Sequence, residues 1–317
     1  MKKKILITGG AGNVGSALVK KLISDKNNFV VVIDDLSTGS LEKLPSKEFV
    51  NWRFIKADCN DYSQLSPIML SNGFDYVFHF AAIVGVMRTQ AHPILVLNDI
   101  EGIKNVLSLS KNCGVKHVYY SSSSEVYGEP VEIPQNEHKT PLNSRVPYAV
   151  VKNVGESYFR SYWQEFQLPF TIFRFFNTYG PNQSTDFVIP RFLALALKNK
   201  PITIYGDGSQ TRTFTFVDDT IDTIVQIFDK DLLNNDVVNI GSDKLFTVLE
   251  LAKTIINLSK SKSEIQFLPP LKEGDMTRRQ PDNSKMKEIL KRELIPIEEG
   301  ILRLMNDKMF LKLIEIN

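Results

Sequence analysis

Residues 9–15 read Gly-Gly-Ala-Gly-Asn-Val-Gly and follow directly on the apolar run Ile5–Thr8. Few stretches restrict a fold as strongly. Glycines at 9, 12 and 15 let the backbone turn tightly from a strand into a helix and approach a pyrophosphate closely. The phosphate charge would then rest on a helix N-terminus, whose first N–H groups have no partner within the helix. With a strand before it and a helical pattern over Asn13–Ser24 after it, the motif predicts a βαβ dinucleotide-binding unit.

The chain continues in the same alternation. Strand-like runs fall at Phe29–Ile33, Arg53–Lys56, Tyr76–Phe80, His117–Ser121, Phe170–Phe176 and Val237–Ile240, most of them almost continuously apolar. Such runs suit parallel strands buried on both faces. Helical patterns over Ile94–Asn112 and Tyr148–Phe166 lie between them. The expectation is an α/β fold, a doubly wound parallel sheet of the Rossmann type, with a smaller α/β substrate-binding domain. After Gly180-Pro181 the elements shorten and arginines gather at 191, 212, 278 and 279. Residues 1–180, with 213–260 returning to them, should form the dinucleotide domain. Residues 181–212 and 261–317 should form the other.

Composition excludes several classes. The 317 residues carry 38 Lys and Arg against 36 Asp and Glu, a net charge of +2, so no polyanion-binding surface and no nucleic-acid partner is expected. No apolar run reaches the roughly 18 residues of a membrane span, and no signal-peptide core follows Lys2–Lys4. Cys59 and Cys113 provide neither a disulfide framework nor a metal-ligand cluster. A cytoplasmic enzyme without a metal is the expectation.

Asp34 ends the second predicted strand, about 20 residues past the glycines, where a carboxylate accepts hydrogen bonds from adenosine ribose hydroxyls. The alternative is a solvated loop aspartate. Facing a 2′-phosphate, the carboxylate would cost about 4 kcal/mol at ~4 Å and an effective dielectric of ~20. No arginine follows in Asp35-Leu36-Ser37-Thr38-Gly39, which favours NAD over NADP. Asp58 and Cys59, after the third strand, fall where an adenine edge would lie, although Cys59 could equally serve packing.

Tyr148 and Lys152 stand four apart, on one face of a helix. Ser121-Ser122-Ser123-Ser124-Glu125-Val126-Tyr127-Gly128 closes a predicted parallel strand, and ligands bind at the carboxyl ends of such strands. Together they hold what alcohol oxidation requires: a hydroxyl to orient the substrate, a phenol to take its proton, and an ammonium to make that phenol acidic.

These motifs resemble the extended short-chain dehydrogenase/reductases that act on nucleotide-diphosphate sugars, the NAD-dependent epimerase/dehydratase family. The likeness runs over essentially the whole chain. Its further marks are His79-Phe80-Ala81-Ala82, Arg174-Phe175-Phe176-Asn177-Thr178-Tyr179-Gly180-Pro181 and Gly206-Asp207-Gly208-Ser209-Gln210-Thr211-Arg212.

The resemblance implies Tyr148 as general base, Lys152 as the group that lowers its pKa and binds the nicotinamide ribose, and Ser123 as the hydroxyl on the reacting sugar alcohol. It implies an NAD site of Gly9, Gly12, Asn13, Val14, Asp34, Asp35, Ser37, Thr38, Gly39, Asp58, Cys59, Phe80, Ala81, Ala82, Asp99, Tyr148, Lys152 and Phe176. Asp99 departs from the asparagine usual there, and the neighbouring Asn98 could take its place. Met87, Arg88 and Thr89 should face the sugar, and Asn177 and Arg212 the diphosphate. Val188, Arg191 and Tyr205 match positions of the nucleotide pocket or serve packing. Of Arg278 and Arg279 one should bind substrate, with Arg279 preferred. Lys272 stands where epimerases carry arginine.

Glu125 discriminates among reactions. Simple 4-epimerases of the family usually have a small residue there, whereas sugar dehydratases and nucleotide-glucuronate decarboxylases commonly have glutamate. It could act as base at C5 or only hydrogen-bond the sugar or the loop. The reading favoured is oxidation at C4 of a nucleotide-diphosphate hexose or heptose to a 4-keto sugar. Capsule-pathway dehydrogenases of GDP-heptose offer one precedent. Epimerase, decarboxylase and 4,6-dehydratase reactions share that first step. A non-catalytic NAD-binding scaffold is disfavoured because Ser123, Tyr148 and Lys152 are all present. The resemblance also implies a homodimer formed through the helices at Ile94–Asn112 and Tyr148–Phe166.

Overall fold

A computed structural model describes residues 2–269 and 278–316. Lys272, part of the substrate reading above, lies outside the described residues. The strands are β1 (Lys3–Thr8), β2 (Asn28–Asp34), β3 (Trp52–Lys56), β4 (Tyr76–His79), β5 (His117–Ser123), β6 (Phe170–Phe175), β7 (Thr178–Tyr179), β8 (Ile202–Tyr205), β9 (Thr211–Thr213), β10 (Thr215–Phe216), β11 (Asp236–Ile240), β12 (Leu245–Thr247) and β13 (Ile265–Leu268). The helices are α1 (Asn13–Ile23), α2 (Tyr62–Asn72), α3 (Val86–Ala91), α4 (Pro93–Leu97), α5 (Asp99–Asn112), α6 (Pro147–Phe166), α7 (Val188–Leu197), α8 (Val217–Asp229), α9 (Val248–Ser259), α10 (Ser284–Leu290), α11 (Ile297–Met305) and α12 (Lys308–Ile316).

Seven strands form one sheet in the order β3-β2-β1-β4-β5-β6-β11, and every neighbouring pair is parallel. The order reverses between β1 and β4, the switch point at which doubly wound sheets open a crevice. The fold is the expected Rossmann α/β fold. β11 joins the sheet from beyond the short strands β7–β10.

Successive side chains of a strand point to opposite faces, which explains the near-continuous apolar runs. Ile5, Ile7, Val30 and Val32 pack on one face, against α1 (Leu18, Leu22) and α8 (Ile224, Ile227). Leu6, Val31 and Ile33 pack on the other, against α2 (Leu65, Met69), α5 (Ile103, Val106) and α6 (Val151, Phe159). The single helix expected over Ile94–Asn112 is two, α4 and α5, meeting at Asn98, whose N–H is shared between the Ile94 and Leu95 carbonyls at 3.2 Å each.

One buried polar cluster fixes α6 to the sheet. Glu156 on α6 and Arg174 on β6 pair bidentately, Nε to Oε1 at 2.8 Å and Nη2 to Oε2 at 2.7 Å, and the Ser122 hydroxyl donates to the same carboxylate at 2.6 Å. Arg174 also donates to the Tyr127 hydroxyl at 2.8 Å, which donates to Asn239 Oδ1 at 2.7 Å. Both charges are thus hydrogen-bonded as well as paired, the condition under which a buried ion pair is tolerated. Among the described residues no helix is long and apolar enough to cross a membrane.

Candidate active site

A cavity of about 1280 Å³ opens along the carboxyl ends of the strands, larger than the roughly 300–1,000 Å³ of a typical small-molecule site. One end is walled by the glycine turn. Gly9 has φ +66°, and a Cβ there would lie 2.6 Å from the Ala81 backbone; one on Gly15 would lie 2.3 Å from the Gly9 carbonyl oxygen. Both positions therefore require glycine. Gly12 instead faces the cavity as the N-cap of α1, a helix with no side-chain cap and no acidic residue in its first turn. Its leading N–H groups are left for an anion. The Asn13 Oδ1 atom is buried there without a partner.

Asp34 lies at the end of β2, 8% exposed, and accepts from the Ala11 and Leu36 amides at 2.9 Å each. A carboxylate has about four acceptor sites, so capacity remains for ribose hydroxyls. Burial raises its pKa, while the Leu36 and Ala11 amides lower it. Asp35, Ser37, Thr38, Asp58, Cys59, Phe80, Ala81 and Ala82 continue the wall, with Val14 beside the turn. Burial pushes the Cys59 thiol up, away from thiolate chemistry. This lining fits NAD: a helix N-terminus for the pyrophosphate and a carboxylate at the adenosine end.

The other end of the cavity gathers Ser123, Glu125, Tyr148, Lys152, Asn177, Val188, Arg212 and Arg279. Ser123 ends β5 and accepts from the Glu125 amide at 3.2 Å. Tyr148 and Lys152 project from the same face of α6. The Lys152 Nζ donates to the Ser121 carbonyl at 2.6 Å and stands 5.7 Å from the centroid of the Tyr148 ring. Removal from water holds the Tyr148 phenol above its ordinary pKa, as does the Glu125 carboxylate; a hydrogen bond shared with Ser123 and the Arg279 guanidinium oppose them. Arg279 Nη1 lies 3.5 Å from Glu125 Oε1, and its side chain is 8% exposed. Arg278 is exposed, away from this lining.

Several expected site residues lie elsewhere. Met87 is 65% exposed and outside the lining, while Arg88 and Thr89 line it. On the short helix α3, residues two apart point to opposite sides, so Met87 and Thr89 could not both face in. Phe176 is wholly buried against Val126 and Tyr127, and Phe175 faces the cavity instead. Gly39 backs Asp34, where a Cβ would fall 2.5 Å from Oδ1, rather than lining the cavity. Arg191 and Tyr205 stack on one another, guanidinium to ring centroid 5.9 Å, outside the lining. Asn98 is exposed; Asp99 faces the cavity. Lys43 was missed because it follows the strand end by nine positions and returns through a turn of 3-10 helix (Leu41–Lys43) to the wall beside Asp34. No local signal marked it.

Comparison with known proteins defines the class. The model of the NAD dependent epimerase/dehydratase family matches residues 5–241. UDP-glucuronic acid decarboxylase 1 of Arabidopsis thaliana is 35% identical over 312 residues, covering 96% of this chain and 69% of the relative. Among solved structures, the UDP-glucose 4-epimerase of Thermotoga maritima, determined with UDP-glucose, superposes with a TM-score of 0.88 at 30% identity, covering 99% of each chain. A dTDP-glucose 4,6-dehydratase of Streptomyces venezuelae, determined with NAD bound, superposes with a TM-score of 0.89 at 27% identity, covering 98% of this chain and 97% of the other. The chain belongs to the NAD-dependent epimerase/dehydratase family. It is an oxidoreductase-type enzyme of that family and its cofactor is NAD.

Proposed function

We propose that the protein oxidises C4 of a nucleotide-diphosphate sugar to a 4-keto sugar, as a C4 dehydrogenase of surface-polysaccharide sugar biosynthesis. The observation that carries this reading is the meeting of Ser123, Tyr148 and Lys152 at the sheet's carboxyl edge, beside a dinucleotide turn. When bound, NAD supplies the hydride acceptor. Ser123 orients the C4 hydroxyl, and Tyr148 takes its proton as the C4 hydrogen leaves with its electron pair. The C4–O bond becomes a carbonyl. Lys152 and Arg279 are the cations that favour the phenolate. Asn177 and Arg212 hold the diphosphate, with Arg212 offering the planar fork that suits phosphate oxygens.

A second reading has its own support. Glu125 and Arg279 form a carboxylate–guanidinium pair on the cavity wall, and several similar proteins are named UDP-glucuronic acid decarboxylases. A C6 carboxylate, set β to the new ketone, would leave as carbon dioxide if the substrate were a uronate. Incubation with a panel of UDP- and GDP-linked hexoses, heptoses and uronates, with and without a keto-acid hydride acceptor, followed by mass spectrometry, separates the outcomes. Loss of two hydrogens supports the dehydrogenase. Loss of carbon dioxide supports the decarboxylase, loss of water a dehydratase, and unchanged mass with altered stereochemistry an epimerase. No change to any sugar overturns both readings.

The division into residues 1–180 with 213–260, and 181–212 with 261–317, belongs to this proposal. So do a homodimer joined through α5 and α6 and a cytoplasmic location. A monomer in light scattering would overturn the dimer.

A further inference from the structure

Arg279 and Glu125 meet on the cavity wall, Nη1 to Oε1 at 3.5 Å, yet they arrive on segments far apart in sequence. Glu125 rides on a turn of 3-10 helix (Ser124–Tyr127) that follows β5. Arg279 lies on irregular chain ahead of α10. An ion pair that long is a weak tether for two backbones, so their relative placement has to be set elsewhere. The chain is gripped from the residue after Arg279 onward. The Gln135 amide donates to the Gln280 carbonyl, and the Asp282 amide donates to the Gln135 carbonyl, each at 2.8 Å. Gln280 Nε2 donates to the Asp243 carbonyl and Asn283 Nδ2 to the Gly241 carbonyl, both at 2.9 Å. At the centre of this grip is Asn239 on β11, wholly buried, whose Nδ2 donates to the Gln135 carbonyl at 2.8 Å and to the Asp282 carbonyl at 3.2 Å. Its Oδ1 accepts at 2.7 Å from the hydroxyl of Tyr127, the last residue of the turn that carries Glu125.

We propose that Tyr127 and Asn239 form a brace behind the active-site wall, which ties the Glu125 turn to the Arg279 segment and holds the Arg279 guanidinium at its place in the cavity. Both are positioning residues, acting through Arg279. The inference rests on the C4-oxidation reading only for the task it gives Arg279.

The chemistry suits a brace. A carboxamide offers two N–H donors and an acceptor oxygen, and Asn239 directs them at three separate segments. Its orientation is dictated by its neighbours. Arg174 Nη1 donates to the Tyr127 hydroxyl at 2.8 Å. A guanidinium can only donate, so the one proton of the phenol goes to Asn239 Oδ1, and the amide nitrogen is left facing the two carbonyls. The Asn239 backbone amide is engaged as well, donating to Glu137 Oε1 at 2.8 Å. The stretch 135–137 thereby covers β11, an edge strand of the sheet whose outer groups would otherwise lack partners. Gln135 grips through its backbone alone: its own carboxamide is buried with no partner at either end. The side chain that decides where the Arg279 segment sits is therefore Asn239, with Tyr127 behind it. Buried polar groups satisfied in this way hold one geometry.

The test reads Arg279 directly. With NAD present, the full chain is treated with phenylglyoxal, a guanidinium reagent, and the rates at Arg279, Arg278 and Arg174 are followed by peptide mass spectrometry. In wild type the exposed Arg278 should react faster than the buried Arg279. Tyr127→Phe should raise the Arg279 rate relative to Arg278 by roughly three- to tenfold, the weight of one net hydrogen bond in a local opening. Asn239→Leu removes both donors and the acceptor at similar volume and should raise it further; if it does not fold, Tyr127→Phe decides alone. Arg174, held by Glu156, is the gauge of general loosening. An unmoved Arg279 rate overturns the inference, and so does a rise shared equally by Arg174. Sugar-dependent NAD reduction over the substrate panel gives the second measurement. Tyr127→Phe should lower kcat/KM several-fold in wild type and leave it unchanged in an Arg279→Met background, because the brace then has nothing to position. An equal loss in both backgrounds overturns the inference. If wild type oxidises no sugar but Arg279 gains reactivity as expected, the C4-oxidation reading fails while the brace stands.

Discussion

At Tyr148 opposing influences meet, and withdrawal from water is the largest of them. Withdrawal from water and Glu125 hold the phenol neutral; Ser123 and Arg279 pull toward phenolate. Tyr148→Phe keeps the ring and removes the proton acceptor. Sugar oxidation should fall roughly 10²–10⁴-fold or more, with NAD affinity, measured by fluorescence titration, within about threefold of wild type. Substantial residual NADH formation would contradict the assignment. Glu125→Gln separates the readings at the same scale. If the 4-keto sugar is the product, the variant should retain C4 oxidation, because the proton goes to Tyr148. If C5 chemistry follows, the variant should accumulate the 4-keto intermediate, visible as a product lighter by two hydrogens. Much of this site was legible beforehand. Tyr148 and Lys152 lie one helical turn apart, and Ser123 closes an apolar strand, so short-range geometry brings them to one edge. Arg279 was preferred over the adjacent Arg278 from the sequence, and it is the buried one of the two, with Arg278 exposed.

Between elements, the glycine turn and the α6 anchor do different work. A Cβ at residue 15 would collide with the Gly9 carbonyl and the Gly10 backbone at 2.3 and 2.8 Å. Gly15→Ala should therefore push α1 off the turn, costing about 1–3 kcal/mol as overpacking does, and should abolish NAD binding in calorimetry. The α6 anchor is the Glu156–Arg174 pair, both side chains 2% exposed. Arg174→Met strands a buried carboxylate and should cost about 3–5 kcal/mol in denaturant unfolding. Adding Glu156→Leu should return part of that loss, since no charge then remains unpaired. A merely additive double variant would show that the two side chains do not interact. In the sequence Arg174 stood out only as the first residue of a motif, and Glu156 drew no notice. Glu156 looks like any helical glutamate until α6 is laid on the sheet.

For the whole molecule, the cavity runs from β2 to α7 and is lined by residues from 8 to 279, so binding anywhere along it ties distant segments together. A ligand that binds only the folded state stabilises it by about 2.7 kcal/mol at 100 times its dissociation constant. NAD should raise the unfolding midpoint accordingly. NADP at the same concentration should raise it less, because Asp34 would face the 2′-phosphate. Lys43 on the same wall partly offsets that repulsion, so Lys43→Met should widen the gap between the two dinucleotides. Equal stabilisation by NAD and NADP in wild type would refute the role given to Asp34.

What the sequence by itself determined is local: the glycine turn, the apolar strands, and a tyrosine and lysine one turn apart. Each depends on steric or periodic rules that act within a few residues. The parallel order of the sheet followed as well, since alternating strands and helices leave few ways to bury both faces. What only the tertiary structure decided is the choice among neighbours that the sequence got wrong or left level: Thr89 over Met87, and Phe175 over Phe176. Adjacent residues share chemistry and environment along the chain, and which one faces the cavity depends on how each element is rotated against its neighbours. That rotation is set by packing across the whole core, a sum of contacts between segments far apart in sequence.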